Sequence, residues 1–274
     1  MRKCRLWILM VAVGLLLTGI LCPMLALAGE APPQDTLNTV IKRGELIVGT
    51  FDFFAPWGFR DAQNNIVGMD PDIAAELAKA LGVKLTLVPV PTTQDRINFL
   101  LSGKIDVAIA NFGATLERAR VINFSEPYVL DGIGVIYRKE AKIKSWSDLN
   151  GKRVAVTTGS TGEMLLKEQA PKANIQRFDQ ASTALLAVQQ GKADAQIEDY
   201  TYTLYHASRD PNKALAALDK PLGIAQSSMG VRKGDMEWTY YINFFIYKSF
   251  QSGKLQEIYK KYFGVAPTKV SPTW

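Results

Sequence analysis

"LLSGKIDVAIAN" (residues 100–111) and "VQQGKADAQIED" (residues 188–199) share one pattern: a helix end, Gly-Lys, one residue, Asp, then a short strand. Gly103 and Gly191 stand where a helix C-terminus wants the left-handed backbone that glycine adopts without strain. The strands end five residues past Asp106 and Asp194, at Asn111 and Asp199. Any α/β protein could contain such a unit once; its echo suggests two similar lobes. In open α/β sheets ligands bind beyond the carboxyl ends of the strands. If the echoed strands face one another, Asn111 to Arg118 and the pair Glu198–Asp199 line opposite walls of a cleft, with a cation in one wall and anions in the other.

The flanking sequence alternates strand and helix. "ELIVGT" (45–50) reads as a strand and leads into the aromatic loop "FDFFAPWGF". "MDPDIAAELAKALGV" reads as a helix: Asp70 caps it, Pro71 takes the first turn, Ile73, Leu77 and Leu81 repeat at i+4, and Gly82 stops it. The strand "KLTLVPV", a helix near Gln94 to Ser102 and the strand "IDVAIAN" follow. The expected fold class is therefore α/β with a mostly parallel sheet. "GKRVAVTTGSTGEMLLKEQ" reads as a strand from Arg153 to Thr157, a turn, and a helix beginning near Ser160. The unpaired N–H groups of that helix start could hold a carboxylate at Ser160 and Thr161. The alternative is a plain capping turn in which Ser160 and Glu163 form an S-x-x-E box. The turn has too few glycines for a phosphate-binding loop and lacks its Lys-Ser/Thr pair.

At the N-terminus, Arg2, Lys3 and Arg5 precede an apolar run from Leu6 to Cys22 and the small-residue site Ala26-Leu27-Ala28. This is the three-part pattern of a secretory signal peptide, residues 1–28, cleaved after Ala28 and followed by a spacer, 29–36. A retained membrane anchor is the alternative, since the run is nearly long enough to span a bilayer. Both cysteines, Cys4 and Cys22, lie in the removed segment, so stability in an oxidising compartment must come from burial without disulfides. The chain's formal charge of +6 falls to +3 without that segment, and the basic residues are scattered. Nucleic-acid or membrane-surface binding finds no support there. With His206 the only histidine and no cysteine after residue 28, hydrolytic triads, thiol catalysis and zinc sites have almost no material; neither a metal nor a cofactor is expected. His206 itself reads as an ordinary helix-face residue.

Taken in order, "LIVGT" with its aromatic loop, "VGMDPDIAAELAKALG", "RINFLLSGKIDVAIA", "ATLERARVINFSEPY", "GKRVAVTTGST", "GKADAQIED" and "SGKLQEIYKKYFG" resemble the extracellular solute-binding proteins, family 3, of polar amino-acid ABC transporters. The resemblance covers residues 37 to 265. It implies a two-lobed periplasmic-binding-protein fold of type II, with two crossover hinge strands. Lobe 1 would be 37–130 and 228–274, lobe 2 would be 134–224, and the hinges would lie near 130–138 and 222–230. It further implies a monomer that captures an amino acid and delivers it to a membrane permease.

On this resemblance Arg118, in "TLER", falls at the α-carboxylate arginine and Asp199 at the α-ammonium aspartate. The chemistry agrees: a guanidinium fork matches a carboxylate, and an ionised carboxylate accepts from an ammonium. The residues alone would leave Arg118 between a surface charge and an anion site, and Asp199 between a helix N-cap and a ligand contact. Asn111 and Gly113 fall where backbone carbonyls and a small side chain approach the ligand, Thr115 where a hydroxyl assists the carboxylate, and Thr161, beside Ser160, at the opposing helix start. Phe54 and then Phe51 are the expected stacking partners, with Phe112 a further aromatic.

Members that take cationic amino acids often carry an acid where this chain has Phe51, which leans the expected ligand toward an acidic or neutral polar amino acid. Glu198 could pair with a cation or face solvent, and Arg96 could partner an anion. The same scaffold also occurs in periplasmic cyclohexadienyl dehydratases, and Glu198 in an aromatic pocket could serve such an enzyme as general acid. The primary expectation is a binding protein, not an enzyme.

Overall fold

A computed structural model describes residues 35–264. The expected signal peptide and nearly all of the spacer lie outside them. Within them no helix is long and apolar enough to cross a membrane. In chain order the elements are α1 (Thr36–Arg43), β1 (Glu45–Thr50), β2 (Phe53–Phe54), β3 (Gly58–Arg60), β4 (Ile66–Val67), α2 (Met69–Leu81), β5 (Lys84–Pro89), α3 (Asp95–Leu101), β6 (Val107–Gly113) and β7 (Ile122–Arg138). There follow β8 (Arg153–Thr157), α4 (Thr161–Gln169), β9 (Asn174–Phe178), α5 (Ala181–Gln189), β10 (Ala195–Asp199), α6 (Tyr200–Ser208), β11 (Leu215–Ala217), β12 (Ile224–Arg232), α7 (Met236–Gln251) and α8 (Lys254–Phe263). Strand β8 and helices α2 and α3 fall on the segments the sequence pattern predicts.

The repeated Gly-Lys-x-Asp unit has a hydrogen-bonded cause. The Asp106 N–H donates to the Ile47 carbonyl (2.8 Å), and its carboxylate accepts the Ile47 N–H (2.8 Å). In the second copy the Asp194 N–H donates to the Arg153 carbonyl (2.8 Å), and its carboxylate accepts the Arg153 N–H (2.9 Å). Each aspartate thus closes a two-bond ring at the edge of the neighbouring strand and starts its own strand in register. Arg43 pairs with Asp106, and Arg153 with Asp194 (2.6 Å). Gly103 and Gly191 both sit at φ +71°, turning the chain out of α3 and α5.

Nine strands form one sheet in the order β5-β1-β6-β12-β7-β10-β8-β9, with β11 beside β7. β1 runs parallel to β5 and β6, and β8 parallel to β9 and β10. The pairings of β12 with β6 and β7, and of β7 with β10 and β11, are antiparallel. The parallel character is therefore confined to two blocks, one in each lobe, and the joint between them is antiparallel. The 17-residue β7 carries the chain from one block to the other: Gly132 is the last of its residues registered on β12, opposite Ile224, and Ile133 is already opposite Asp199 of β10. β12 makes the return crossing. The fold is two-lobed with two crossover strands.

Apolar residues at helical spacing set the cores. Ile73, Ala74, Leu77 and Ala78 of α2 pack with Trp57, Trp238 and Ile246 in the first lobe, in a cluster that continues through Phe54 onto Tyr202 and Val188 of the second. Val135, Val154, Val156, Leu166 and Ile197 form a core within the second lobe. Ile97, Leu100, Ile105, Phe112 and Ile122 form a smaller one around β6. Each buried valine, leucine, isoleucine or phenylalanine of these clusters contributes roughly 1.5–3 kcal/mol, and each alanine less.

One expectation is corrected. Asp70 does not cap α2: Gly68 occupies the N-cap position and makes no side-chain cap. The Asp70 carboxylate, fully buried, accepts instead from the Tyr128 hydroxyl (2.7 Å) and from the Asn111 N–H (2.8 Å). Tertiary donors outcompete the helix's own first turn.

Candidate functional site

A cavity of ≈ 500 Å³ lies at the carboxyl ends of β6, β8 and β10 and beside the start of β12. Phe51, Phe54, Asn111, Gly113, Arg118, Ser160, Thr161, Glu198 and Asp199 line it, as do Phe53, Thr93, Arg96, Thr157, Gln226 and Ser227. A second cavity of ≈ 620 Å³ is walled by Tyr200, Tyr205, Tyr259 and Tyr262 beside β7, with Asp131, Arg209 and Lys261 also in its lining. The first cavity brings Arg96 and Arg118 together with Glu198 and Asp199.

Arg118 leads a 3-10 turn, Arg118–Arg120, and its N–H donates to the Thr115 hydroxyl (3.2 Å). Its guanidinium points into the cleft and donates to the carbonyls of Gly113 (2.6 Å) and, from the second lobe, Gly159 (2.7 Å), with Thr161 Oγ1 at 3.5 Å. Gly159 is itself held: its N–H donates to Glu163 (2.8 Å), which Lys167 and Arg177 also engage. Burial raises that carboxyl, and Lys167, the Gly159 N–H and Arg177 more than reverse this, holding it down at about 2. The Ser160 hydroxyl accepts from the Glu163 N–H (3.1 Å) and so caps α4. The capping reading of Ser160 is therefore realised, but Glu163 returns its bond to Gly159 and not to Ser160.

Asp199 takes the N-cap position of α6, yet its side chain makes no capping bond. It accepts instead from Asn111 Nδ2 of the first lobe (2.6 Å). Glu198 accepts from the Thr157 hydroxyl (2.6 Å) and from the Asp199 N–H (3.1 Å), and is buried against the cavity. Burial pushes the Glu198 carboxyl up to about 7. Burial, then the charges of Glu198 and Asp131, pushes Asp199 well above the ordinary carboxylate range. Arg118 is pulled down by burial and partly restored by Asp199.

Two expected residues lie outside the lining. Thr115 supports the Arg118 backbone, and Phe112, fully buried, forms a floor beneath the guanidinium groups of Arg96 (4.0 Å) and Arg118 (5.3 Å). Phe54 lines the cavity but gives one ring face to Tyr202 of the second lobe, stacked at 4.7 Å and 8°. Phe51 contacts Arg96, whose guanidinium carbon lies 5.0 Å from its ring centre.

Arg96 is the main wall residue that the sequence pattern leaves undefined. It is buried, and donates to the carbonyls of Thr93 (3.0 Å), Ala110 (2.9 Å) and Asn111 (3.1 Å). Burial, then Arg118, pulls it well below the ordinary guanidinium range. A guanidinium does not surrender its proton in a protein, so the pull is felt as a desolvation cost. Its side chain looks like a helix-face charge of α3 until the tertiary fold adds two carbonyls of β6 to the local one of Thr93. Gln226 and Ser227 likewise gave no signal, because they enter the wall only through the antiparallel return of β12. Among the described residues no cluster of three or more His, Cys, Asp or Glu side chains could hold a metal ion.

A two-lobed α/β scaffold with buried guanidinium and carboxylate groups facing across the interlobe cavity is the architecture of a solute-binding protein. The chain belongs to the bacterial extracellular solute-binding proteins, family 3, whose profile matches residues 46–265. It is 30% identical over 238 residues to the L-cystine-binding protein TcyJ of Escherichia coli (strain K12), covering 86% of this chain and 89% of that one. It is 28% identical over 246 residues to the ABC transporter glutamine-binding protein GlnH of Bacillus subtilis (strain 168), covering 88% and 89%. A solved structure of an ancestral arginine-binding protein bound to glutamine superposes with a TM-score of 0.76 at 36% identity, covering 81% of this chain and 99% of that one. An enzyme is among the relatives: the cyclohexadienyl dehydratase of Pseudomonas aeruginosa is 26% identical over 238 residues, covering 85% and 88%.

Proposed function

We propose that this protein is exported and, as a monomer, captures a free amino acid between its lobes for delivery to an ABC transporter permease. The observation that carries the reading is the pairing of Arg118 and Asp199 on opposite walls of one cavity, each hydrogen-bonded to the facing lobe. Arg118 takes the α-carboxylate with Thr161 and the start of α4, and Asp199 takes the α-ammonium. A zwitterion held this way draws on both lobes, so binding and closure share one free energy. Hinges near 130–138 and 222–230 fit the place where β7 changes partner and β12 returns. A cavity of this size suits a small molecule.

Beyond the α-groups the wall offers the Arg96 guanidinium and the Glu198 carboxyl, with Phe51 and Phe53 also in the lining. An amide side chain serves both, accepting near the guanidinium and donating to the carboxylate. This supports a neutral polar ligand, with an acidic one next. The test is a thermal-shift screen of protein refolded from denaturant against all common amino acids and L-cystine. Stabilisation by a neutral polar or acidic amino acid is expected; stabilisation by none would sink the proposal.

A second reading rests on Glu198, a buried carboxyl beside phenylalanines whose pKa is pushed up to about 7 by burial. A carboxyl still partly protonated at neutral pH is what a dehydratase needs at a leaving hydroxyl. Incubation with prephenate or arogenate decides it: an aromatic product made by the native protein and not by Glu198→Gln would establish the enzyme.

A further inference from the structure

Asp70 lies behind the cleft wall, fully buried and outside the cavity lining, yet it reaches the wall through one residue. Its two carboxylate oxygens are divided: one accepts from the Tyr128 hydroxyl (2.7 Å), the other from the Asn111 N–H (2.8 Å). On the other side of the same residue, Arg96 donates to the carbonyls of Ala110 (2.9 Å) and Asn111 (3.1 Å). Arg96 is itself fixed between the rings of Phe51 and Phe112. The Asn111 backbone is thus gripped at its N–H by a carboxylate and at its carbonyl by a guanidinium.

Asn111 requires such a grip. It sits at φ +42°, a left-handed conformation that a residue with a Cβ adopts at a cost. In that conformation its side chain joins three parts of the molecule. Oδ1 accepts from the Ser227 hydroxyl on the crossover strand β12, and Nδ2 donates to Asp199 of the second lobe (2.6 Å).

We propose that Asp70 is a positioning residue: with Arg96 it clamps Asn111 in its left-handed conformation, so that the Asn111 amide ties the crossover strand to Asp199 and fixes the ammonium-binding carboxylate. The consequence for binding rests on the reading of Asp199 given above; the placement of Asp199 does not, and can be read in the ligand-free protein.

The clamp needs acceptors, not charge. In Asp70→Asn a flipped amide still accepts from the Asn111 N–H and donates to the tyrosine oxygen, whereas Asp70→Leu keeps the bulk and removes both bonds. The Asn111 bond favours the ionised form of Asp199. Losing it therefore moves the Asp199 titration, followed by carboxyl 13C NMR, to higher pH by about one unit. The expected result is that shift in Asp70→Leu, little or none in Asp70→Asn, an equal shift in Asn111→Gly, and no further shift when Asp70→Leu is added to Asn111→Gly. An Asp199 titration unmoved by Asp70→Leu, or a shift that adds in full to that of Asn111→Gly, overturns the proposal. Tyr128→Phe, which removes one of the two bonds at Asp70, is carried through the same cycle should the leucine variant not fold. A smaller shift, abolished by Asn111→Gly, is expected for it, and no shift contradicts the clamp. L-Glutamine affinity, read separately, falls about tenfold in Asp70→Leu if the ammonium reading also holds. The NMR shift without that loss would leave the clamp standing and count against the ammonium reading.

Discussion

Arg118 has the guanidinium geometry that a carboxylate matches in two parallel bonds, and it holds that geometry only because Thr115, Gly113 and Gly159 orient it. Lysine would keep the charge and lose the fork. We expect Arg118→Ala to lower amino-acid affinity at least about 100-fold and Arg118→Lys about tenfold or more, as charge-assisted bidentate bonds imply. Neither variant should lower the melting temperature of the ligand-free protein by more than a few degrees, because removing a buried cation also removes its desolvation cost. Calorimetric titration beside differential scanning calorimetry separates the two effects. Arg118 and Asp199 were legible because each closes a local motif, "TLER" and "IED", that the family resemblance places. Asp70 was misread, and Arg96 was read only as a possible anion partner, for the opposite reason: Asp70 is held by residues 41 and 58 positions away, and two of the three carbonyls that hold Arg96 are 14 and 15 positions away, where a local pattern does not reach.

At the scale of elements, the repeated Gly-Lys-x-Asp unit was visible in the sequence but its purpose was not. The sequence marks where helix ends and strand begins; only the sheet shows that each aspartate bonds back to the strand beside it. Removing the carboxylate leaves a strand N–H without its acceptor, at a cost of about 1–3 kcal/mol where water cannot replace it. Asp106 has a 5% exposed side chain and Asp194 a 26% exposed one. Asp106→Ala should therefore destabilise the fold by the upper part of that range and Asp194→Ala by the lower part, as read from urea unfolding midpoints. Equal costs, or a larger cost at Asp194, would contradict the account of burial. The antiparallel joint was the least legible element from the residues alone: the family resemblance implies crossover strands near 130–138 and 222–230, but the place where β7 exchanges β12 for β10 depends on pairing Ile133 with Asp199 and Gly132 with Ile224, far apart in the chain.

Over the whole molecule, burial holds Asp70 and Glu198 up near about 7 and Asp131 near about 6, with Asp199 well above its ordinary range. The unfolded chain titrates these groups near pH 4. Between roughly pH 4 and 7 the folded protein thus binds more protons than the unfolded chain, and stability falls as pH rises through that window. His206, pushed down to about 4 by burial, acts in the opposite direction over a similar span, one group against four. The ligand-free protein should melt a few degrees higher at pH 5 than at pH 8. Ligand capture should show the reverse trend, because the proposed ammonium contact needs ionised Asp199: the stabilisation by a bound amino acid is expected to grow from pH 5 to pH 8. A ligand-induced shift that is the same at both pH values would remove Asp199 from the ammonium site.

In the proposed function one cleft reads both ends of an α-amino acid, Arg118 the carboxylate and Asp199 the ammonium. Calorimetric titration with the amino acid that most stabilises the protein, then with its α-carboxamide and its Nα-acetyl derivative, tests this directly. Each modification should weaken binding at least about 100-fold, since each leaves a buried charge unpaired. Either derivative binding as tightly as the parent amino acid would contradict it.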